Sequence, residues 1–190
     1  AGLIALREVT DRKRTEERLF ATQERNRLLI ENANEGIVVI QDGVLKFANP
    51  KTQDLFGCTA QDLVLKPVAD IIHPDDRQAV MEQHLKRLSG EEVPYVHQFR
   101  IVDKAGHTKW VELNGVLLSW GERPADLCFL RDITQRKVAE EALRQSREDL
   151  SRAQAVAHMG SWRLDIRRNE LIWSDETYRI FGVPLGTPMT

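Results

Sequence analysis

The chain has 190 residues, of which 42% are hydrophobic and 29% are charged, and its formal net charge is −2. This composition is typical of a globular protein with room for one full core. The near-neutral charge balance excludes a broad electrostatic attraction to nucleic acid or to anionic lipid, so we expect neither as a partner.

Two further absences narrow the class of protein. No apolar run approaches the roughly 18 residues that a membrane-spanning helix needs, so we expect no membrane contact in this segment. The two cysteines, Cys58 and Cys128, have neither CxxC spacing nor a disulfide-dense framework around them. This usage favours the reducing environment of the cytoplasm.

The chain repeats itself at long range. REVTDRKRTEERL at residues 7–19 returns as LRDITQRKVAEEAL at residues 130–143, and FANPKTQDLFG at 47–57 returns more loosely as IWSDETYRIFG at 172–182. The spacing is about 125 residues, which suits a compact domain plus a connector and is too long for a solenoid repeat. The repeat therefore predicts the end of one unit, a complete second unit and the start of a third.

The segments 11–32 and 134–157 contain no Gly or Pro and are rich in helix formers, so each predicts a long connector helix. Small or apolar residues follow 4-3 spacing in the later segment: Ala139, Leu143, Ser146, Leu150, Ala153 and Ala157. The earlier segment has the same register: Thr15, Leu19, Thr22, Asn26, Leu29 and Ala33. Such a seam is weak for a coiled coil. Two interpretations stay open, a parallel dimer helix and a solvated helix that only separates two domains.

Between the connectors, residues 36–49 predict two short strands joined at Asp42-Gly43, a strong tight-turn pair. Asn49-Pro50 then begins a helix that ends at Gly57, and residues 73–89 predict a second helix. Three alternating segments follow as strands, and the last of them leads directly into the second connector. The order predicts an α+β domain with a five-stranded antiparallel sheet.

Four motifs together carry a family resemblance: FANPKTQDLFG, IIHPDDR, HTKWVEL and FLRDITQRK. Residues 33–133 resemble a PAS domain with its C-terminal PAC portion, in which short helices cover one face of the sheet. The resemblance implies that residues 1–10 end a preceding PAS domain and that residues 158–190 begin a following one. Leu65 departs from the pattern, because many members have Gly at this position.

The resemblance also implies a role. Tandem PAS domains with such helices are typical of bacterial sensor histidine kinases in two-component signal transduction, and less often of diguanylate cyclases or phosphodiesterases. The segment itself has no nucleotide-binding, cyclase or kinase signature, so we expect no catalytic residues in it. The resemblance implies that the intact protein is a histidine kinase.

A small-ligand pocket is expected on the inner face of the sheet. Period-two alternation places six residues on that face: Val39, Gln41, His97, Phe99, Val111 and Leu113. Gln41 and His97 would be the polar groups of such a pocket. The alternative is a filled core in which the histidine is hydrogen-bonded.

No cofactor can be assigned from the sequence. In the flavin-binding light sensors of the family a reactive cysteine lies in the short-helix loop, and the corresponding position here is Val68, which disfavours covalent photochemistry. A haem would need an axial histidine on the long helix, where His84 is the one candidate and is expected to be a partly exposed helix residue. His73 with Asp75 and Asp76 suggests helix capping and not a metal site.

The end of the domain is the expected exit for a signal. Asp132, Ile133 and Thr134 join the last strand to the second connector, and Asp132 or Thr134 should cap its first turn. Outward Trp110, Val116 and Leu118 predict an apolar outer face that another element must cover. We therefore expect a parallel homodimer through the connectors and this face, with neighbouring PAS and output domains in the same chain.

Overall fold

The computed structural model describes residues 2–94 and 96–188, with side chains from residue 13 onward. Ala1, Tyr95, Met189 and Thr190 lie outside the described residues. The helices are α1 Gly2–Glu31, α2 Pro50–Phe56, α3 Ala60–Leu63, α4 Val68–Ile71, α5 Arg77–Leu88, α6 Thr134–Ala157 and α7 Asp175–Phe181. The strands are β1 Gly36–Gln41, β2 Val44–Ala48, β3 Val96–Val102, β4 Thr108–Trp120, β5 Arg123–Asp132, β6 Trp162–Asp165 and β7 Glu170–Trp173.

The chain divides into two compact units, Ala1–Thr134 and Gln135–Thr190. The first unit contains a five-stranded sheet in the order β2-β1-β5-β4-β3, and every neighbouring pair is antiparallel. The last strand of the sequence is therefore the central strand of the sheet. This arrangement confirms the predicted α+β fold and puts the start of α6 directly after the best-supported strand.

Short helices cover one face of this sheet and close the core. Phe56 of α2, Val68 of α4 and Val80 of α5 pack with apolar residues that point from the strands, such as Phe99 and Cys128. Burial of an apolar side chain of this size stabilises a fold by about 1.5–3 kcal/mol. The core therefore lies between the sheet and the short helices, as predicted.

Local sequence explains most of the turns. Asp42 and Gly43 both have positive φ, 55° and 72°, which is the conformation that a tight β1–β2 hairpin requires. Leu65 also has positive φ, 69°, at the position where glycine was expected. Its backbone N–H donates to the carbonyl of Leu45 at 2.8 Å, so the neighbouring strand holds the loop in this left-handed conformation.

The start of the long helix α5 differs from the prediction. The His73 side chain accepts from the backbone N–H of Asp75, but Asp76 does not cap the helix. Its carboxylate accepts from the backbone N–H of Arg100 at 2.8 Å and pairs with the guanidinium at 2.7 Å. Hydrogen bonds from Arg100 lower the pKa of Asp76. Asp76 thus ties this turn to β3.

Residues 2–10 are helical and continue α1 towards the N-terminus. The repeat assigns this segment to the end of a preceding PAS domain, a role that stays a prediction. No described strand pairs with it, and a helix satisfies its backbone hydrogen bonds internally whereas a lone strand cannot.

The second unit begins with α6, whose bounds match the predicted connector 134–157. A two-stranded antiparallel hairpin, β6 with β7, and the short helix α7 follow. Among the described helices of either unit, none combines the length and the apolar character needed to cross a membrane.

Candidate functional site

A small cavity lies in the core of the first unit, between the sheet and α5. Its volume is about 40 Å³, which is room for about three water molecules. Apolar side chains form most of the wall, including Ile40, Ile72 and Val80. The polar groups come from α5, β3 and β5, and they decide what the cavity can do.

A buried charged cluster forms one side of the cavity. Asp126 of β5 is completely buried, and its Oδ2 accepts a hydrogen bond from Nη1 of Arg87 at 2.6 Å. The Nδ1 atom of His84 lies 3.1 Å from the same oxygen. His84 and Arg87 are three residues apart on α5, so both side chains reach the same face of the helix. Each charge of the ion pair is therefore compensated by a partner.

The cluster sets its own protonation states. Burial alone would raise the pKa of Asp126, but the hydrogen bonds with His84 and Arg87 outweigh it, and the pKa lies below its ordinary value. Asp126 is therefore ionised at neutral pH. Burial, together with the charge of Arg87, lowers the pKa of His97, which also lines the cavity. His97 is therefore neutral at pH 7.

Gly115 of β4 makes the room for this cluster. A Cβ atom at this position would lie 2.7 Å from Nη1 of Arg87 and 2.9 Å from Oδ1 of Asp126. Both distances are too short for any side chain, and the neighbours are held by their ion pair. Glycine at 115 is therefore a packing requirement of the buried pair.

Half of the predicted pocket residues line the cavity. His97, Phe99 and Leu113 contribute to its wall, and Val111 is buried in the surrounding core without lining it. The prediction for β1 was wrong, because Val38 and Ile40 line the cavity and Val39 and Gln41 do not. Gln41 instead donates through Nε2 to the carbonyl of Trp120 at 2.8 Å, which braces the β4–β5 turn.

The error on β1 has a physical cause. GIVVIQ is apolar at four successive positions, so alternation does not reveal which residues face the core. The β1–β2 register also shifts between Val39 and Ile40, which adds a local irregularity. A side chain on either face of this strand is buried.

The buried cluster was missed by the sequence reasoning, and His84 was wrongly expected to be partly exposed. His84 is 6% exposed and hydrogen-bonded. One signal was present in the sequence, because Asp126 shares its period-two phase with Cys128 and Leu130 and so points into the core. A carboxylate there requires a buried partner.

The second part of the site is the junction between β5 and α6. Asp132 Oδ1 accepts from the backbone N–H of Thr134 at 2.8 Å, so Asp132 supplies the cap at the helix start. The hydroxyl Oγ1 of Thr134 accepts from the backbone N–H of Trp110 at 3.0 Å. Ile133 is buried, and its N–H donates to the Trp110 carbonyl at 2.9 Å. The first residue of α6 is thus hydrogen-bonded to β4 as well as covalently joined to β5.

The first unit is similar to known proteins in sequence and in structure. Residues 45–128 match the sequence profile of a family described as the PAS fold. A sensory box histidine kinase/response regulator from Burkholderia thailandensis has a solved structure that superposes with a TM-score of 0.52 at 26% identity, over 67% of this chain and 98% of that one. The first unit therefore has the PAS fold.

Two curated relatives are longer proteins. The chain is 32% identical to sporulation kinase A of Bacillus subtilis over 161 residues, which is 83% of this chain and 26% of the relative. It is 33% identical to the blue-light-activated histidine kinase of Brucella ovis over 87 residues, which is 45% of this chain and 17% of the relative. The chain is thus similar to parts of two kinases, and it spans about a quarter or less of the length of these two relatives.

The cavity does not fit the large cofactors that some PAS domains hold. Sites for drug-sized ligands measure roughly 300–1,000 Å³, and the volume here is about 40 Å³. Val68 lines the cavity and has no thiol to form a flavin adduct. Burial raises the pKa of the Cys128 thiol well above its ordinary value, so this thiol stays protonated. Neither flavin nor haem is accommodated in this structure.

Proposed function

We propose that the chain is the sensory and signal-relay region of a bacterial sensor histidine kinase in a two-component system. A change in the PAS core or at a dimer interface would pass through β5 to α6 and on to an output domain. The observation that carries this proposal is the junction at Asp132–Thr134. The similarity to a sporulation kinase and to a blue-light-activated histidine kinase supports the identity of the output.

The junction suits a relay because the start of α6 is connected to the sheet in three ways. Two are hydrogen bonds that join the Trp110 backbone to Ile133 and to Thr134, and the third is the covalent chain from β5. The β4 strand pairs with β5 along ten residues, and the Trp110 backbone bonds to both Ile133 and Thr134. Val111 and Leu113, in the same strand, belong to the core around the cavity. We infer that a shift of β4 would move Thr134, the first residue of α6. Such coupling requires two conformations of the domain. An input must change the free-energy difference between them by about 1–3 kcal/mol.

The proposal includes a parallel homodimer. On α6, Leu143 and Leu150 are 54% and 60% exposed, and no residue of this helix is buried within the chain. On the outer face of the sheet, Val116 is 41% exposed. These positions coincide with the predicted seam and the predicted outer face. A second copy of the chain is the partner that would cover them, and the unpaired cysteines are consistent with a cytoplasmic location.

The dimer is tested by sedimentation of the 190-residue chain. Leu143→Glu combined with Leu150→Glu should reduce the mass from that of two chains to that of one, 21.8 kDa. Gln145→Glu is the matched control, since it adds a charge to the opposite face of the same helix. A wild-type chain that sediments as a monomer at all concentrations would contradict the dimer.

The output is tested on the full-length protein that carries this chain. We expect transfer of the γ-phosphate of ATP to a histidine, detected as an acid-labile, base-stable label. A diguanylate cyclase would convert GTP to a cyclic dinucleotide instead, and a phosphodiesterase would hydrolyse that product. Either of these activities without histidine phosphorylation would replace the kinase in the proposal.

The relay is tested by a double-mutant cycle in the same protein. Val80→Ala enlarges the cavity and should change the autophosphorylation rate by a factor of about 5–150 if core and output are coupled. Adding Thr134→Val removes the hydroxyl with little change of volume and should abolish most of that response. Thr134→Ser keeps the hydroxyl and is the control. An equal response with Thr134→Val would contradict the relay.

A further inference from the structure

Three buried side-chain atoms around the cavity have no hydrogen-bond partner among the described residues. Gln83 Oε1, His84 Nε2 and Asp126 Oδ1 are buried, and among the described residues none of them is hydrogen-bonded. All three residues line the cavity. Buried polar atoms in native proteins are nearly always satisfied, and an unsatisfied one points to a water or ligand.

The hydrogen-bonding pattern identifies two of these atoms as acceptors. The ionised carboxylate of Asp126 can only accept, so the proton between Asp126 and His84 belongs to Nδ1 of the imidazole. The unpartnered atoms Asp126 Oδ1 and Gln83 Oε1 both accept hydrogen bonds. The cavity therefore requires a molecule that donates at least two hydrogen bonds.

Donors are also present on the wall. Arg87 lines the cavity, and within the described part of the chain its guanidinium donates through Nη1 alone, to Asp126. Neutral His97 contributes one ring N–H. A ligand that also carries one acceptor, such as a carbonyl oxygen, would complement these donors.

Charge and size restrict the ligand further. Asp126 and Arg87 neutralise each other, so an additional buried charge would have no counter-ion and would be unfavourable. The volume of about 40 Å³ limits the ligand to roughly three or four non-hydrogen atoms. Apolar neighbours such as Ile40 and Val80 accommodate a methyl group.

We propose that this cavity binds a small neutral primary amide or urea, whose NH₂ group donates its two hydrogens to Gln83 Oε1 and Asp126 Oδ1 while its carbonyl accepts from Arg87 or His97. This inference rests on the proposed sensory function and names the chemical class that the sensor reads.

The experiment is a titration of the 190-residue chain with acetamide, followed by the backbone amide signals of Leu113 and Cys128. Acetone and acetate have the same number of non-hydrogen atoms but lack the N–H donors, and acetate adds a charge. We expect saturable shifts with acetamide at millimolar concentration, as befits so small a ligand. Acetone and acetate should bind at least tenfold more weakly, and ethanol, with one donor, should lie between.

Two variants sharpen the test. Gln83→Met removes one acceptor from a half-buried residue and should weaken acetamide binding severalfold without loss of the fold. Glu82→Gln, at the exposed neighbouring position, is the control and should leave binding unchanged. Equal binding of acetone and acetamide, or no saturable shift with any solute, would overturn the inference.

The outcome is independent of the output domain, because the readout is binding to the core. Histidine phosphorylation without acetamide binding would remove this inference and leave the proposed function. Acetamide binding without histidine phosphorylation would remove the kinase and leave the ligand class.

Discussion

Helix α2 in the first unit and helix α7 in the second are copies of one local structure with different surroundings. Both have seven residues, and each begins at a polar N-cap, Asn49 or Ser174, whose side chain accepts from the third helical residue. Each ends at a left-handed glycine, Gly57 with φ 62° and Gly182 with φ 65°.

The two helices also share one tertiary hydrogen bond, but their phenylalanines differ in burial. Thr52 donates its hydroxyl to the Ile37 carbonyl, and Thr177 donates to the Ser161 carbonyl. The phenylalanines at the ends of the two helices are 1% exposed at Phe56 and 66% exposed at Phe181. Capping is therefore decided by a few neighbouring residues, whereas burial of the phenylalanine depends on the five-stranded sheet. The described part of the second unit has a sheet of two strands.

The largest expected difference is between the two phenylalanines. Phe56→Ala should lower the free energy of unfolding of the first unit by about 3–5 kcal/mol, because it leaves a cavity in a close-packed core. Phe181→Ala should change stability by less than about 1 kcal/mol, since its main aromatic contact is Trp173 at 5.1 Å. Urea unfolding followed by circular dichroism measures both. Equal losses would show that the second unit has a packed core in solution.

The two N-caps should differ by less in their contribution to the free energy of unfolding. Asn49 is buried, accepts from the backbone N–H groups of Ile37 and Thr52, and donates to the carbonyls of Ile30 and Glu35. Asn49→Ala should therefore cost about 2 kcal/mol, the upper end for an N-cap, and Ser174→Ala about 1 kcal/mol or less.

The same urea titrations measure this second comparison. Asn49→Ser is the control, because its hydroxyl can still accept at the helix start while the two bonds donated by the amide are lost. A loss for Asn49→Ala no larger than that for Ser174→Ala would mean that the bonds to α1 and β1 add nothing to the cap.

The smallest effect is expected at two left-handed residues. Leu65 has φ 69° in the first unit, and Asn169 has φ 51° in the β6–β7 turn. Leu65→Gly should raise the thermal midpoint, with a gain of up to about 1 kcal/mol, because relief of backbone strain exceeds the entropy that glycine adds to the unfolded chain. Asn169→Gly should be nearly neutral, since asparagine tolerates this conformation. A lower midpoint for Leu65→Gly would mean that the leucine side chain contributes more than its 67% exposure indicates.

The candidate site was predicted only in part. Alternation was sufficient on β3, where His97 and Phe99 are separated by exposed or half-buried residues, and failed on β1, where both faces are apolar. The contacts that define the charged cluster join residues 39 and 42 positions apart in the sequence, Arg87 and His84 with Asp126. No periodicity links α5 to β5, so these pairings were not accessible from the sequence pattern.

At the junction, the sequence left open whether Asp132 or Thr134 caps α6. Asp132, Ile133 and Thr134 lie where the sequence placed them, and Asp132 is the cap. The Thr134 hydroxyl bonds instead to the Trp110 backbone, 24 residues away. A side chain next to a helix start has several nearby partners, and the sheet decides which one it meets.

The sequence by itself determined the fold class, the helix α6 at 134–157, the turn at Asp42-Gly43 and the cap-to-glycine design of α2 and α7, because each of these depends on residues a few positions apart. The tertiary structure alone decided which face of β1 meets the core, that a buried Asp126 joins His84 and Arg87, and that a polar cavity remains beside them. These features arise from the packing of α5 against the sheet, and the geometry of that packing is not encoded in any short stretch of the chain.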